Sequence, residues 1–246
     1  MIITHRGRNT NFRENTISSF EEALKLGCEA VECDLRLTPN NNVVVCHNRD
    51  TFFKGKKIAI SKTPPNILNG QKLLTIENLF EYIDYKNIPF YLELKNSSLL
   101  LVERVIEKIQ AYNLWERVYV MGFSFFINNA IGAQSKYPKL KVIQLIGIPF
   151  YSYIKKLRPS YGVAFGWFDE WFGSEWLFRK LISVKRLAKL KKMYKRNGFK
   201  KIMAGVINTK EGFEYFEQAG ITDIITDNVP GATAYFRHKR KNLVKD

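Results

Sequence analysis

Polar side chains stand at the ends of the first short apolar segments of this chain, and that placement constrains the fold more than any other feature. His5, Glu32 and His47 each follow a run of aliphatic residues that has the length of a buried strand. Functional side chains at the carboxyl ends of successive strands are typical of α/β barrels. The placement therefore predicts an α/β fold of the TIM (β/α)8 barrel type.

The remaining sequence alternates between strand-like and helix-like segments. Eight main strands are predicted, one ending at His5 and the others at residues 28–35, 89–94, 117–121, 140–146, 161–165, 201–207 and 223–226. Helices are predicted at residues 15–26, 75–82, 99–112, 177–196 and 212–219, with one more after Ser124. A barrel requires this regular alternation of strand and helix.

An insertion separates the second and third barrel strands. Residues 43–46 predict a short strand that pairs back on the second strand as a hairpin. Residues 48–65 have no sustained period, and we expect them to form a short insertion loop over one mouth of the barrel. The barrel domain is predicted to span residues 1–236, and the basic residues 237–246 are expected to form a frayed tail.

Composition supports a single globular domain with a basic surface. The chain has 246 residues, close to the roughly 250 of a typical TIM barrel, and its 46% hydrophobic residues suffice for one core. Lys and Arg number 39 against 23 Asp and Glu, and the resulting net charge of +16 predicts contact with anions. Nucleic acid, an anionic membrane surface and a phosphorylated polymer are the candidate partners. A solvated surface with no specific partner is the alternative.

The cysteines and the first residues indicate a cytoplasmic protein. Three cysteines cannot all pair with one another, and a chain of this length needs no disulfide to fold. The first motif begins at His5, which leaves no room for a signal peptide, and no apolar run approaches the roughly 18 residues of a membrane span. We expect Cys33 and Cys46 to be reduced and to point into packing layers.

Three carboxylates are predicted to meet at one edge of the sheet. Glu32 and Asp34 are two residues apart on a strand and share a face, and Glu93 ends the next barrel strand. Oxygen ligands suit hard divalent ions, so the sequence predicts one Mg²⁺ or Ca²⁺, with Mn²⁺ as a further option, and disfavours zinc. The alternative is that Glu32 and Asp34 form salt bridges with Arg36 or Lys95.

Two of the three histidines follow predicted strands and are candidates for acid and base catalysis. His5 and His47 could stand on opposite sides of a scissile bond, because the pKa of a free imidazole lies near neutrality. Either histidine alone would more often be a hydrogen-bonded structural residue. Arg6 would bind a phosphate through two parallel hydrogen bonds, and Lys95 would bind it as a point charge.

The ordered set of motifs resembles the glycerophosphodiester phosphodiesterase family. The matching motifs are, in order, His5-Arg6-Gly7, Glu14-Asn15-Thr16, Glu32-Cys33-Asp34, His47, Glu93-Leu94-Lys95, Ser124-Phe125 and the closing stretch from Gly220 to Asp227. The resemblance covers nearly the whole chain. It implies a TIM barrel in which Glu32, Asp34 and Glu93 bind a divalent cation while His5 and His47 act as acid and base.

Three features depart from the family's pattern. Asn48 stands where the family has an Asp, and the interval from His47 to Glu93 is short and lacks an Arg-Thr-Thr motif. Residues 205–208 lack the Trp of the family's Trp-Thr-x-Asn, and Trp167 is the candidate to replace it in the substrate pocket. The short interval is closer to sphingomyelinase D-type phospholipases, which are similar at the same positions.

A strongly basic stretch lies in the second half of the chain. Residues 176–210 contain twelve Lys and Arg and no Asp or Glu, and they begin within an aromatic group formed by Trp167, Phe168, Trp171, Phe172 and Trp176. Aromatic and basic residues together indicate an anionic membrane interface. The alternative is a barrel helix with Leu181, Val184, Leu187 and Leu190 inward and a solvated lysine face. No nucleic-acid motif accompanies the charge, so we do not expect nucleic-acid binding.

These features together predict a metal-dependent phosphodiesterase that hydrolyses small glycerophosphodiesters to glycerol 3-phosphate and an alcohol. The first alternative is a sphingomyelinase D-like phospholipase that cleaves the headgroup of a lysophospholipid or sphingolipid. The second is a catalytically inactive barrel that binds phosphodiesters or lipid headgroups, and it is motivated by Asn48 and the missing Trp. We expect the protein to lie in the cytoplasm, with peripheral membrane contact as an added option.

Overall fold

The computed structural model describes residues 1–53, 56–63, 73–146, 157–167 and 172–242. Its strands are β1 (Ile2–His5), β2 (Ala30–Leu37), β3 (Val43–Val45), β4 (Asp50–Phe53), β5 (Lys56–Ala59), β6 (Leu74–Thr75), β7 (Phe90–Leu94), β8 (Val118–Phe123), β9 (Lys141–Ile146), β10 (Gly162–Phe165), β11 (Lys201–Ala204) and β12 (Ile224–Thr226). Its α-helices are α1 (Ile17–Lys25), α2 (Ile76–Tyr85), α3 (Leu99–Ala111), α4 (Ser124–Ala133), α5 (Ser174–Leu181), α6 (Val184–Arg196), α7 (Lys210–Gln218) and α8 (Val229–Asn242).

Eight parallel strands close into a barrel. β1 pairs with both β2 and β12, and the ring continues through β7, β8, β9, β10 and β11. Each neighbouring pair in this ring is parallel. Because parallel strands end on the same side, all eight carboxyl ends meet at one mouth of the barrel. The predicted TIM barrel is confirmed.

The barrel interior is filled by apolar side chains. Ile3, Tyr91, Ile143, Met203 and Ile225 come from five different strands and form one buried cluster. The outer faces of the strands pack against the helices, which explains why the strands read as nearly continuous hydrophobic runs. The interior below the mouth is therefore a packed core, and chemistry is confined to the strand ends.

Local sequence explains where the barrel helices begin. The Thr16 side chain accepts a hydrogen bond from the Ser19 backbone and caps α1, and the α1 residues Phe20 and Ala23 are buried against the barrel. Thr75 caps α2 in the same way. The predicted helices at 15–26, 75–82, 99–112 and 212–219 and the one after Ser124 are confirmed as α1, α2, α3, α7 and α4. Within the described ranges, no helix combines the length and the apolar character needed to cross a bilayer.

The insertion between the second and third barrel strands contains more structure than predicted. β3 pairs antiparallel with β2, as expected for the hairpin. The prediction of a loop over residues 48–65 is wrong for its described part, because β4 and β5 form an antiparallel pair and a 3-10 turn follows at Ile60–Lys62. Ile60 is buried and packs in a small cluster with Val44, Cys46 and Leu73, which leaves no periodic pattern in residues 48–63 of the sequence. Residues 54–55 and 64–65 of the predicted loop lie outside the described ranges.

Two predictions for the second half of the chain need correction, one for a helix and one for the C-terminal tail. The helix predicted at 177–196 is two helices, α5 and α6, because Ile182 is extended and the Ser183 side chain caps a new helix by accepting from the backbone of Arg186. The tail predicted to fray from residue 237 is helical as far as Asn242. Ala232 and Phe236 in the earlier part of α8 are buried, and residues 243–246 lie outside the described ranges.

Candidate active site

The barrel mouth brings the predicted site residues together. His5 ends β1 beside Glu32 on β2, and Asp34 of β2 lies beside Glu93 of β7 in the parallel register. A cavity of about 240 Å³ opens at this point. Seven of the eight predicted residues line it, namely His5, Arg6, Glu32, His47, Glu93, Lys95 and Trp167. Asp34 is fully buried behind these lining residues and contacts several of their side chains.

The three predicted carboxylates form a buried cluster. Glu32, Asp34 and Glu93 each offer one oxygen, and these oxygens lie within 4.8 Å of one another. Glu32 is 1% exposed, and neither of its oxygens accepts a hydrogen bond from any described residue. A buried carboxylate without partners is costly in a metal-free protein. The donor set and its orphaned oxygens therefore fit a hard divalent cation.

Asp34 is the anchor of the cluster. Its Oδ1 lies 3.0 Å from Lys95 Nζ, and its Oδ2 lies 3.1 Å from Arg6 Nε. The Asn15 side chain forms two hydrogen bonds with Asp34. Its Nδ2 donates to Asp34 Oδ2 at 3.0 Å, and its Oδ1 accepts from the Asp34 backbone N–H at 3.2 Å. Lys95 Nζ also lies 2.7 Å from Glu93 Oε1. The alternative of a salt bridge with Lys95 is thus confirmed for Asp34 but not for Glu32, which accepts no hydrogen bond from the described residues.

Burial and neighbouring charges shift the pKa values of Glu32 and Asp34, the two carboxylates of β2, in opposite directions. Burial and the charges of Asp34 and Glu93 raise the pKa of Glu32 well above its usual value. Burial acts in the same direction on Asp34, but the hydrogen bond from His47 and the charges of Lys95 and Arg6 outweigh it and hold the pKa of Asp34 well below its usual value. Glu32 is therefore the group that most lacks a positive partner.

His5 has a buried carboxylate partner that the sequence analysis did not assign. His5 Nδ1 lies 2.8 Å from Oδ1 of Asp227, which directly follows β12. Asn208 donates its Nδ2 to Asp227 Oδ2 at 3.2 Å and accepts from the Asp227 backbone at 2.8 Å, and Arg8 Nη1 lies 3.3 Å from Oδ2. Burial opposes ionisation of Asp227, but the His5 hydrogen bond and charge outweigh it and lower its pKa. In the sequence, the Thr226-Asp227 pair at the end of the last strand was the signal that could have identified this partner of His5.

His47 reaches the site by a different route. β3 runs antiparallel to β2 and carries the chain back toward Asp34, so that His47 Nδ1 lies 3.3 Å from Asp34 Oδ1. Arg36 holds the His47 carbonyl by donating from Nε at 3.0 Å and from Nη2 at 2.6 Å. Arg36 therefore positions the His47 backbone and, among the described contacts, does not pair with Glu32 or Asp34. The neighbouring Asn48 is exposed.

The segment after β1 needs unusual backbone angles. Arg6 and Gly7 have φ values of 60° and 65°, in the left-handed region. A Cβ on Gly7 would lie 2.5 Å from Ser19 Oγ and 2.8 Å from the Ser19 carbonyl carbon, so only glycine fits against the start of α1. This tight turn places the Arg6 side chain against Asp34 instead of leaving it in solvent.

One wall of the cavity is apolar. Trp167, predicted for the substrate pocket, lines it and is buried, and its ring packs on Phe178 of α5 at 5.6 Å. The other apolar side chains of the lining are Met121, Phe123, Leu145, Ile146, Ala164, Phe165, Val206 and Ile225. Phe168 and Trp171 of the aromatic group lie outside the described residues. The cavity thus has a charged side and an apolar side.

Comparison with known proteins identifies the class to which this site belongs. A family model described as the glycerophosphoryl diester phosphodiesterase family matches residues 5–230. The chain belongs to this family. As a glycerophosphodiester phosphodiesterase it is a hydrolase of phosphoric diesters, which confirms the enzyme class predicted from the sequence.

Relatives of this glycerophosphodiester phosphodiesterase match it along its length. It is 26% identical over 245 residues to a glycerophosphodiester phosphodiesterase from Caldanaerobacter subterraneus subsp. tengcongensis, covering 93% of this chain and 94% of that protein. A glycerophosphodiester phosphodiesterase structure from Parabacteroides distasonis has a TM-score of 0.73 at 22% identity, covering 98% and 97% of the two chains. An Oleispira antarctica phosphodiesterase in complex with its product sn-glycerol-3-phosphate has a TM-score of 0.71 at 17% identity, covering 96% of each. These structural likenesses support the barrel fold.

Proposed function

We propose that this phosphodiesterase hydrolyses glycerophosphodiesters to glycerol 3-phosphate and an alcohol, with one divalent cation and with His5 and His47 as the acid and base. The observation that carries the proposal is the Glu32 carboxylate in the buried cluster, which accepts no hydrogen bond from the described residues and has His5 Nε2 3.9 Å from its Oε2. A site that serves only to stabilise the fold gains nothing from an unpaired buried charge. The product found on the Oleispira antarctica relative supports the same products here.

The carboxylate cluster is the proposed cation site. Glu32 and Glu93 would hold the ion together with Asp34, and Mg²⁺, Ca²⁺ and Mn²⁺ all accept such oxygen ligands. A bound ion there would polarise the phosphoryl group and neutralise negative charge. Arg6 and Lys95, which Asp34 holds at the cavity wall, would bind the phosphate oxygens. The bound ion, Arg6 and Lys95 would together give the charged side of the cavity its affinity for a phosphodiester.

The histidines are arranged so that each keeps a ring nitrogen for the substrate. Asp227 accepts a hydrogen bond from Nδ1 of His5, which leaves Nε2 as the free acceptor on the cavity side when the ring is neutral. Asp34 stands in the corresponding position beside Nδ1 of His47. One histidine takes a proton from the attacking hydroxyl or water, and the other gives a proton to the leaving alcohol. The two carboxylates stabilise whichever imidazole becomes charged.

Release of glycerol 3-phosphate is the direct test. Chelated protein would be assayed with glycerophosphocholine and glycerophosphoglycerol after addition of Mg²⁺, Mn²⁺ or Ca²⁺ in turn. His5→Ala and His47→Ala should each lower turnover by at least about 10²-fold. His238→Ala, at the third histidine of the chain, is the matched control and should leave turnover unchanged. Full activity in chelator, or in either site variant, would contradict the proposal.

The apolar wall favours a second candidate substrate. Phe123, Leu145, Phe165 and Trp167 line the cavity, and a small polar alcohol such as glycerol would not cover the apolar surface that they present to it. A lysophospholipid, whose glycerol carries an acyl chain, would use both sides of the cavity. We would compare lysophosphatidylcholine with glycerophosphocholine and measure kcat/KM for each. A higher value for the lysophospholipid would assign the phospholipase activity, and Phe123→Ser should then reduce it selectively.

The residue at position 48 bears on whether the protein is an active enzyme or an inactive barrel that only binds phosphodiesters. Asn48 is exposed and replaces the Asp of the family's motif, while His47 keeps its contact with Asp34. We therefore expect turnover with Asn48 in place, and Asn48→Asp should change it by no more than a few fold. If the wild type and Asn48→Asp both bound the cation but turned over none of these substrates, the protein would instead be an inactive barrel that binds phosphodiesters.

A further inference from the structure

Exposed apolar side chains are concentrated at the mouth of the barrel. Nine large apolar side chains of the described residues are exposed. Seven of them lie in the segments that follow the carboxyl ends of barrel strands, namely Phe12, Leu99, Phe125, Phe172, Trp176, Leu177 and Leu181, and we call these seven the mouth rim. The other two, Leu26 and Tyr85, end helices at the opposite side of the barrel. Scattered exposed apolar residues need no explanation, but a set gathered on one face does.

The mouth rim continues the apolar wall of the cavity. Phe125 is 61% exposed, and its ring stacks at 5.8 Å on Phe123, which lines the cavity. Trp176 is 64% exposed on α5, and Phe178 of the same helix packs on the cavity residue Trp167. An apolar path therefore runs from the charged side of the cavity along its wall to solvent.

Helix α5 is fixed at the mouth with Trp176, Leu177 and Leu181 exposed. Glu175 accepts a hydrogen bond at 3.1 Å from Thr209, which follows β11 and caps α7. Tyr215 of α7 donates to the carbonyl of Ile182, and Phe178 packs into the buried cluster. The exposure of Trp176 and its neighbours is thus a feature of an anchored helix.

Positive charge lies on the same face. Lys180 Nζ is 4.7 Å from the centre of the Trp176 ring, and Lys210 and Arg49 are exposed in other segments at the mouth. The whole chain has a net charge of +16. Tryptophan beside lysine suits a lipid interface, where the ring enters the headgroup region and the ammonium group meets lipid phosphates.

We propose that the mouth rim docks on an anionic phospholipid bilayer and presents the cavity to phosphodiesters in that surface. The inference rests on the proposed hydrolysis only for its purpose, since docking itself needs no turnover. The bilayer covers the rim side chains, and lipid phosphates pair with the cations beside them. The acyl chain of a substrate in the surface then lies along the apolar path while its phosphate reaches the charged side.

Vesicle sedimentation with matched variants tests the docking surface. The full chain would be mixed with phosphatidylglycerol or phosphatidylcholine vesicles in chelator, so that no turnover occurs. We expect Phe125→Ser with Trp176→Ser to weaken partition onto phosphatidylglycerol vesicles by about tenfold or more. Leu26→Ser with Tyr85→Ser removes two exposed apolar side chains from the opposite side and should sediment as the wild type does.

Several results would overturn the docking proposal. They are absence of the wild type from the pellet, an equal loss in the two double variants, or a rim variant that binds as the wild type does. Binding that disappears for every protein between about 0.1 M and 0.5 M NaCl, with no difference between variants, would mean adsorption by charge alone. A wild-type dimer in size-exclusion chromatography that the rim substitutions convert to a monomer would mean that a second copy covers the rim.

Activity on a water-soluble substrate separates the two proposals. The mouth rim does not line the cavity, so both double variants should hydrolyse glycerophosphocholine at the wild-type rate. With lysophosphatidylcholine placed in phosphatidylglycerol vesicles, only the rim variant should lose rate. Rim-dependent vesicle binding by a protein that hydrolyses neither substrate would remove the proposed function and leave the docking surface standing.

Discussion

Replacing Glu32 by glutamine exchanges a buried charge for a neutral amide of the same shape. In the metal-free protein the Glu32 oxygens accept no hydrogen bond from the described residues, and Asp34 and Glu93 add negative charge beside them. A glutamine amide at this position could donate a hydrogen bond to either neighbour. We therefore expect Glu32→Gln to stabilise the metal-free fold while it weakens cation binding.

The expected magnitude follows from the missing partners. A buried polar group that is left unsatisfied costs about 1–3 kcal/mol, and a charged one costs more. For a chain of this size, each kcal/mol shifts Tm by roughly 2–4 °C. In chelator at pH 8, Glu32→Gln should therefore unfold about 2–12 °C above the wild type. Glu81→Gln makes the same charge change at an exposed site of α2 and should shift Tm by much less.

The sign of the pH dependence follows from the raised pKa of Glu32. At a pH below about 4.3, the pKa of an unfolded glutamate, Glu32 is protonated in both the folded and the unfolded wild type. No charge is then buried on folding, so the wild type is not destabilised. As pH rises, the unfolded chain ionises first, so the wild type loses stability relative to Glu32→Gln until the folded group also ionises. The Tm gap between the two proteins should therefore be large at pH 8 and nearly absent below about pH 4.

Cation binding should reverse the order of stability. A cation at about 100 times its Kd would stabilise the wild type by roughly 2.7 kcal/mol, and Glu32→Gln should gain much less. Thermal unfolding followed by circular dichroism, with and without Mg²⁺ or Ca²⁺, measures both effects. A variant that is less stable than the wild type in chelator at pH 8 would refute the reasoning about Glu32.

Three further predictions concern positioning and packing. Asp227→Asn should lower kcat about 10–150-fold with little change in circular dichroism, because a charge-assisted hydrogen bond to His5 is worth about 1.5–3 kcal/mol. Gly7→Ala should lower the free energy of unfolding in urea by about 1–3 kcal/mol, since its φ is positive and a Cβ meets Ser19. Leu187→Ala, in the fully buried face of α6, should cost about 2–5 kcal/mol in the same assay and leave KM unchanged.

The sequence was sufficient for the features that depend on local pattern. Each barrel strand is a short apolar run, so its position can be read directly, and the polar residues at the ends of β1 and β7 can be read with it. Glu32 and Asp34 share a face because strand side chains alternate, and Glu93 joins them because parallel strands end at one mouth. The placement of Arg6 beside Asp34 also depends on Gly7, whose need for a positive φ was not considered in the sequence analysis.

The features that were missed depend on contacts between distant segments. Asp227 acquires its role only where β12 lies beside β1, and Asn15 acquires its role only when the turn before α1 folds over Asp34. The break between α5 and α6 had a local signal in Ser183, which a continuous apolar period concealed. The β4 and β5 pair lacked the apolar alternation that would have marked it as a hairpin.

The pairing of His5 with Asp227 has a consequence for how activity arises during synthesis. Both histidines of the cavity and all three clustered carboxylates lie within the first 95 residues, but Asp227 follows the last barrel strand. β12 pairs with β1, so His5 gains its carboxylate only when the two edges of the sheet meet. A growing chain on the ribosome can therefore carry most of the site and still lack an oriented His5. We therefore expect phosphodiester hydrolysis to reach its full rate only when the barrel closes, so that catalytic rate would report on that step.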